Sequence, residues 1–433
     1  MDFFNYIRNQ NITTYDALIE HLKSDEIKIR VKEDKRYPDF FVLCHDDNTV
    51  KNSPIYHCTN GMILRKADCV PVCYSFNKME ENEVTDEEKA QGIKFKINSQ
   101  LDFSNTRLEY ALEGTLVRVW KYVENETGEI NLMISTKRCI DAIRSKWISD
   151  KSFKELFMES MTGINLHDII QENYAYSFLL THPENNMVVQ YDKPVSYHIG
   201  TRNMSTMMEE DVILQGVQRV PSQVIDASNV NQYINYIFNN EVFKIEGYVI
   251  VDKNFRRQKF ISPAYEKAKA IFGNSNSKMY KFFNLRKNVE DLNEYLKLFP
   301  NDVPEFNTYE YNFYQIAIQV HKLYVNKFVK RPKDENGNQL MIPVPFYLKK
   351  LVYGLHSDYK TNKVQTNLEK VFHKLADLDV NLQCFIYNHM VNNGSTPITY
   401  EAIFSNAFVP VKKDEISMNV EDLQEEVQMI IEA

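Results

Sequence analysis

The hydrophobic and polar positions divide the chain into a strand-rich part followed by a helix-rich part. Between residues 27 and 261 the hydrophobic segments are short, rich in β-branched and aromatic residues, and end at polar turns, a pattern typical of β-strands. "TLVRVWKYV" and "INLMIST" flank the polar "ENETGE", so we expect a hairpin there. "KIEGYVIVD" with "RRQKFISP" predicts a second hairpin, and "YAYSFLLTHP", "NMVVQY" and "VSYHIGTRN" predict a three-stranded meander.

Helical spacing of hydrophobic residues begins early and dominates after about residue 272. "ITTYDALIEHLKS" and "KSFKELFMESM" predict short helices within the strand-rich part. Further on, one stripe ends before Pro332 and consists of Phe313, Ala317, Val320, Tyr324 and Phe328. "TNLEKVFHKLADL" repeats that pattern. We therefore expect an α+β fold, with an antiparallel-sheet domain over 1–272 and a mostly helical domain over 273–413.

Residues 414–433 differ from both domains, because they contain seven acidic residues and no basic one. Val420, Leu423, Val427 and Ile430 recur at helical spacing, so this acidic amphipathic tail predicts a helix. It would either pack on its own domain or enter the groove of a protein partner.

Composition and charge narrow the classes of function. The chain has 433 residues, 43% of them hydrophobic and 25% charged, as expected for a folded protein of two or three domains. Its net charge of -8 excludes a uniformly basic nucleic-acid binder, so any RNA contact needs a locally basic surface. Six scattered cysteines without a CxxC motif predict reduced thiols and no zinc site. We see no signal peptide and no apolar run of the ~18 residues that a membrane span needs, which predicts a cytoplasmic protein.

Five segments carry candidate chemistry, in a fixed order along the chain. They are "HCTNG", "YALEGTLV", "ISTKRC", "NYAYSFLL" and the pair "KIEGYVIV" and "RRQKFISPAY". In this order they resemble the motifs of the covalent nucleotidyltransferases, and most of all the bacteriophage-type RNA ligases and their relatives in large nucleocytoplasmic DNA viruses. The resemblance covers residues 56 to 265, about half of the chain, and implies a ligase-like sheet domain.

That family forms a lysyl-adenylate on the Lys of a K-x-D-G motif, and the resemblance implies that this chain has lost the nucleophile. Ala111 takes the place of the Lys, while Glu113 stands for the Asp and Gly114 is kept. A methyl group cannot form a phosphoramidate. Ser177 replaces a ribose- or metal-binding Glu, and Ile261 replaces the second of two phosphate-binding lysines. The resemblance therefore implies a degenerate site with no catalytic residue.

The remaining motif positions are candidates for binding a nucleotide or RNA. By resemblance or by position they are Glu113, Lys137, Arg138, Tyr176, Phe178, Glu246, Arg256, Arg257 and Lys259. The competing interpretation is solvated hairpin charges for Lys137 and Arg138, and core rings for Tyr176 and Phe178. ATP or GTP with Mg²⁺ would bind only if the cleft still accepts a nucleotide, and no metal site is predicted.

Three functions follow as hypotheses. The first is a non-catalytic module that binds RNA or a nucleotide, such as a 5′ end or cap, in a viral RNA-processing or translation assembly, in the host cytoplasm or a viral factory. The second is a scaffold that uses the helical domain and the acidic tail. The third is an active ligase or nucleotidyltransferase with rearranged catalysis. Two basic clusters interleaved with aromatic residues, "KMYKFFNLRK" and "VNKFVKRPK", would suit single-stranded RNA or simply form solvated helix faces.

Overall fold

A computed structural model describes residues 3–82, 84–124, 127–239 and 245–392. The chain divides into two compact units, residues 1–270 and 271–433. The boundary predicted at 272/273 lies two residues further along the chain. The acidic tail, 414–433, is outside the described residues. In the described part of the chain no helix is both long and apolar enough to cross a bilayer.

The first unit contains three sheets, in which neighbouring strands are antiparallel except for β14 and β5. The strands are β1 (Arg30–Glu33), β2 (Phe40–Cys44), β3 (Ile63–Arg65), β4 (Pro71–Cys73), β5 (Glu80–Glu81), β6 (Thr106–Ala111), β7 (Thr115–Val123), β8 (Ile130–Thr136), β9 (Tyr174–Thr181), β10 (Val195–Asn203), β11 (Glu209–Glu210), β12 (Ser222–Ile225), β13 (Gly247–Val251) and β14 (Arg257–Ile261). Their orders are β1-β2-β3-β4, β11-β10-β9-β7-β8 and β12-β6-β13-β14-β5.

Helices surround these sheets and make up the described part of the second unit. In the first unit they are α1 (Phe3–Asn9), α2 (Tyr15–Lys23), α3 (Tyr56–Thr59), α4 (Asp86–Ala90), α5 (Phe153–Ser160), α6 (Leu166–Ile169) and α7 (Val230–Asn239), and α8 (Pro263–Phe272) crosses the boundary. The second unit has α9 (Lys278–Leu285), α10 (Val289–Leu298), α11 (Val303–Tyr324), α12 (Lys349–Asn362), α13 (Leu368–Ala376) and α14 (Val380–Tyr387). Single π-helical turns follow α11 at Val325–Lys330 and α14 at Asn388–Asn392. The predicted α+β class, with a helical C-terminal part, is confirmed.

The sequence patterns located most elements correctly. The two predicted hairpins are β7–β8 and β13–β14. The two short helices are α2, whose N-cap is Thr14, and α5, which begins with a capping box of Ser152 and Glu155. The strand predicted at 186–191 is wrong. There the backbone N–H groups of Val188 and Val189 donate to the carboxylate of Glu113 instead of to a neighbouring strand.

We call the β11-β10-β9-β7-β8 sheet the central sheet. Because side chains alternate along its strands, both of its faces are buried. Val117 and Val119 of β7 pack with Phe178 of β9 and with α5 and α6 in one core. Trp120, on the opposite face of β7, packs into a second core with the β1–β4 sheet. The face that carries Trp120 also carries Leu116 and Arg118, since residues two apart on a strand share a face. This face leads to the candidate site.

Candidate functional site

A cavity of about 370 Å³ lies within the first unit and is lined by residues from two of the sheets and by segments that lie next to the strands of the β1–β4 sheet. Glu109 and Ala111 reach it from β6, Val249 from β13, and Arg257 and Lys259 from β14. On the central sheet it is lined by Leu116, Leu179 and Ile199, and from the N-terminal part by His45, Tyr56, Asn60 and Tyr74. A volume of this size suits a ligand as large as a nucleotide.

Ala111 lies at the cavity wall, at the end of β6. It pairs with Gly247, which in turn pairs with Ile261, so these three residues form one row across β6, β13 and β14. Two of the three positions at which the sequence departs from the resembling motifs therefore share a row. The backbone N–H of Glu246 donates to the Ala111 carbonyl over 2.7 Å, which fixes this end of the strand. Only a methyl group projects from position 111.

The contacts of Glu113 are all within the protein and do not support the expectation that it binds a ligand. One carboxylate oxygen accepts the N–H groups of Val188 and Val189 over 2.9 and 2.8 Å. The other accepts the Tyr265 hydroxyl over 2.6 Å. Glu113 is 5% exposed and is absent from the cavity lining. Its neighbour Gly114 must lack a side chain, because a Cβ there would lie 2.6 Å from the Leu180 carbonyl oxygen.

Lys137 follows β8 and reaches the cavity, as the sequence predicts for a nucleotide-binding residue. Its backbone is held firmly, because the Cys44 thiol donates to its carbonyl over 3.6 Å and Gly61 packs against its Cα. Gly61 has φ +85°, and a Cβ there would lie 3.0 Å from the Cα of Lys137. Among the described residues no carboxylate forms an ion pair with the Lys137 amine. Lys137 is exposed as a whole, but desolvation of its amine by the cavity walls, together with the charges of Arg118 and Lys259, lowers its pKa below 10.5.

Arg118 places a second positive charge behind Lys137. It is fully buried on β7, where its guanidinium donates to the backbone carbonyls of Gly61 and Thr136. Its Nε has no hydrogen-bond partner, and no described carboxylate pairs with it. Ser177 of β9 lies directly across from Arg118, on the same face of the sheet. The position at which the resemblance expects a carboxylate is therefore beside a buried cation that lacks one.

The other charged residues of the cavity are already paired. Lys259 and Glu246 form an ion pair over 2.7 Å, with Lys269 4.0 Å from the same carboxylate. Arg257 is 8% exposed, forms a two-pronged pair with Glu209 and lies 4.6 Å from the centre of the Phe76 ring. All three predicted residues, Glu246, Arg257 and Lys259, therefore line the cavity, but their charges largely cancel within the protein.

The N-terminal wall supplies residues that sequence reasoning missed. The rings of His45 and Tyr56 stack 4.7 Å apart, and the Lys78 amine lies 5.5 Å from the centre of the Tyr56 ring. Burial, together with the charges of Lys137 and Lys78, lowers the pKa of His45 to about 4, so the imidazole is neutral at pH 7. No motif joins positions 45, 56 and 78, and only the folded sheets bring them to Lys137.

Besides Glu113, four predicted site residues lie away from the cavity lining. Tyr176 and Phe178 are 1% and 0% exposed and belong to the core beside α5, because the even positions of β9 face that helix. They offer no free ring face, so the core interpretation is correct. Arg138 and Arg256 are exposed outside the lining, and Arg256 donates to the Gln100 carbonyl over 2.9 Å.

The carboxylates that line the cavity fit a divalent metal poorly, because each already has a basic partner. Glu246 has Lys259, Glu109 has Arg107 at 3.2 Å, and Glu81 has Lys78 at 4.0 Å. Elsewhere in the described residues, Glu159, His182 and Glu184 could together surround an ion. Lys151 occupies that position, with its amine 3.0 and 2.6 Å from the two carboxylates.

Comparisons with known proteins show distant likenesses. No protein-family model matches the chain. It is 20% identical over 319 residues to an immediate-early protein ICP-46 homolog of Invertebrate iridescent virus 6, covering 68% of this chain and 67% of that protein. It is 25% identical over 245 residues to the protein of the same name from Invertebrate iridescent virus 3, covering 55% of this chain and 51% of that one. The chain thus spans between half and two thirds of the curated relatives it matches.

Among solved structures the chain is similar to ATP-dependent RNA ligases. An archaeal ATP-dependent RNA ligase superposes with a TM-score of 0.40 at 12% identity, over 65% of this chain and 68% of that one. A Naegleria gruberi RNA ligase mutant with ATP and Mn gives a TM-score of 0.30 at 11% identity, over 39% of this chain and 52% of that one. The structural likeness is therefore to RNA ligases, and it is partial in both length and geometry.

Proposed function

We propose that this protein binds a nucleotide or the 5′ end of an RNA, with or without a cap, and does not become covalently charged by it. The bound end would serve a viral RNA-processing or translation assembly. Support for the viral setting comes from the two iridescent-virus relatives, whose names say only that they are homologs of an immediate-early protein.

The observation that carries the proposal is the unbalanced positive charge of the cavity. In the described lining, Lys259, Arg257 and Glu246 neutralise one another or their neighbours, whereas Lys137 has no carboxylate partner and Arg118 is buried behind it. A phosphate group entering the cavity would give Lys137 the anion it lacks. Desolvation of the amine by the cavity walls, which also lowers the pKa of Lys137, strengthens that attraction relative to a fully solvated lysine.

The walls also suit the remainder of a nucleotide. His45 and Tyr56 form a flat stacked pair, which suits a base or a cap by ring contacts. Ala111 contributes only a methyl group where the resembling enzymes place their amine, so the bound phosphate has no nucleophile at that position. The cavity thus combines the means to bind a nucleotide with the loss of the usual covalent step.

Two measurements on the full chain test the proposal. Fluorescent ATP and GTP analogues are titrated to obtain affinities for the wild type, Lys137→Met, Lys137→Arg and the exposed control Lys51→Met. We expect Lys137→Met to weaken binding about ten- to hundredfold, since charge-assisted contacts contribute about 1.5–3 kcal/mol. Lys137→Arg and Lys51→Met should stay within about threefold of the wild type.

The second measurement asks whether any nucleotide becomes attached. The protein is incubated with ATP or GTP labelled at the α-phosphate, with Mg²⁺, and is then run on a denaturing gel beside Ala111→Lys. We expect no labelled band for either protein, because Ser177 and Ile261 also depart from the family pattern. A labelled wild-type band would overturn the proposal. If peptide mapping placed the label on Lys137, the cavity would belong to a transferase with a relocated nucleophile.

A further inference from the structure

Four aromatic rings form a continuous row on the helical unit, which we call the aromatic ladder: Phe328, Tyr353, His356 and Tyr359. Phe328 belongs to the π-helical turn after α11, and the other three are spaced three residues apart on one face of α12. Phe328 and His356 stack with ring centres 3.8 Å apart and planes 9° apart. Tyr353 meets Phe328 edge-on at 6.2 Å, and Tyr359 stacks beside His356 at 6.2 Å.

The ladder is open to solvent at both ends. Tyr353 is 48% exposed and Tyr359 is 42% exposed, whereas the core ring Phe313 of α11 is 1% exposed. Tyr324, which is 3% exposed, lies 6.3 Å from His356 and anchors the middle of the row to the core. Rigid rings held from behind, with free outer faces, can accept another flat ring at small entropic cost.

Positive charge surrounds the ladder although the whole chain is acidic. Residues 325–363 contain eight lysines and arginines against three aspartates and glutamates, in a chain of net charge -8. Arg331 donates to the Phe328 carbonyl over 3.1 Å, and Arg331 and Lys360 lie close enough to His356 to help burial lower its pKa. Within the described part of the chain neither cation has a carboxylate partner, and the nearby Asp358 is paired with Lys374 at 2.9 Å.

The other basic and aromatic cluster of this unit, 278–287, has no such freedom. Lys281 is 6% exposed with its amine over the Phe272 ring, and Arg286 forms a two-pronged pair with Glu310. Lys278 pairs with Asp302 over 2.7 Å. Three of its four cations are therefore engaged within the unit and the rings of Phe282 and Phe283 are buried, so the ladder is the cluster that keeps both rings and cations available.

We propose that the aromatic ladder binds single-stranded RNA, with unpaired bases stacked on Tyr353 and Tyr359 and phosphates held by Arg331 and Lys360. Stacking on exposed rings combined with cations along one edge is the usual way in which proteins hold single strands without reading their sequence. This surface consists of residues of the second unit, shares none with the cavity of the first and needs no 5′ end, so it goes beyond the function proposed above.

The experiment measures binding of a 12-nucleotide oligo(U), with a 5′ hydroxyl and a 3′ fluorescein, to the full chain by fluorescence anisotropy. We compare the wild type with the double variant Tyr353→Ala/Tyr359→Ala and with Tyr353→Phe/Tyr359→Phe, which keeps the rings. Phe385→Ala is the matched control, because Phe385 is an equally exposed ring, 42%, in the same unit and outside the ladder. Arg331→Gln/Lys360→Gln is measured from 50 to 300 mM salt.

We expect the Ala pair to weaken binding at least tenfold, and the Phe pair and Phe385→Ala to stay within about threefold. The Gln pair should flatten the dependence of affinity on salt by about one to one and a half logarithmic units per decade. Lys137→Met and an excess of unlabelled ATP should leave oligo(U) binding unchanged, which separates this surface from the cavity. No salt-sensitive binding, or equal losses in the Ala pair and Phe385→Ala, would overturn the proposal.

Discussion

The buried carboxylate of Glu113 offers the sharpest test of whether a residue of the candidate motifs binds a ligand or stabilises the fold. Sequence resemblance places Glu113 among the ligand-binding residues, but its two oxygens accept three hydrogen bonds from Val188, Val189 and Tyr265. We expect Glu113→Gln to destabilise the first unit and to leave nucleotide affinity of the folded protein unchanged. A ligand-binding role for Glu113 instead predicts weaker nucleotide binding without a loss of stability, so this one substitution distinguishes the two roles.

The magnitude follows from the geometry of those three bonds. The Gln amide oxygen can still accept both backbone N–H groups, and its NH₂ can donate to the Tyr265 oxygen, so the bonds survive without the charge. Bonds to a charged group contribute about 1.5–3 kcal/mol and neutral ones about half of that, so we expect a loss of about 2–4 kcal/mol. Glu113→Ala would leave three buried donors unpaired and should cost more, up to the whole stability of the unit.

The assay is urea unfolding followed by tryptophan fluorescence, because Trp120 and Trp147, the two tryptophans of the chain, both lie in the first unit. With an m-value of about 3 kcal/mol/M, a loss of 2–4 kcal/mol lowers the midpoint by about 0.7–1.3 M. Tyr265→Phe should lower it by less, and the double variant should show coupling between the two residues. An unchanged midpoint with weakened nucleotide binding would refute the structural role and return Glu113 to the binding site.

Three further outcomes follow from the structure. Gly61→Ala should lower the stability of the first unit by at least about 1–2 kcal/mol in the same urea assay and should weaken nucleotide binding. The fold holds position 61 at a φ of +85°, which is strained for an L-residue, and the new methyl group would meet the Lys137 backbone. Nucleotide affinity should fall as pH rises through the lowered pKa of Lys137, earlier than for an ordinary lysine of pKa 10.5, and Lys137→Arg should keep its affinity to higher pH in a fluorescence titration. Burial lowers the pKa of Lys281 to about 8 in the folded state. Between pH 8 and 10.5 the unfolded chain therefore binds one more proton than the folded chain, and the free energy of unfolding of the helical unit should rise across that range. Lys281→Met should remove that gain, measured as the difference between the two unfolding curves by circular dichroism.

Local sequence patterns predicted those elements correctly whose structure depends only on residues close together in the sequence. The hairpin of β7 and β8 follows from alternating residues on either side of a polar turn, and α5 follows from its capping box and helical spacing. The strand predicted at 186–191 is wrong because Val188 and Val189 donate to Glu113, more than seventy residues earlier in the chain. No pattern within the segment contains that partner.

The sequence by itself determined that position 111 offers no amine, since a methyl group stays a methyl group in any fold. It also located Lys137, Glu246, Arg257 and Lys259, which the cavity brings together. Only the tertiary structure decided which of these charges remain available, because pairing depends on partners that come from other strands. Arg257 and Glu246 are neutralised by Glu209 and Lys259, while Lys137 faces the cavity with Arg118 behind it. A charge belongs to its own residue, but the partner that neutralises it is set by the folded chain. For that reason these residues of the cavity lining could be named from the sequence, and which of them keeps a free charge could not.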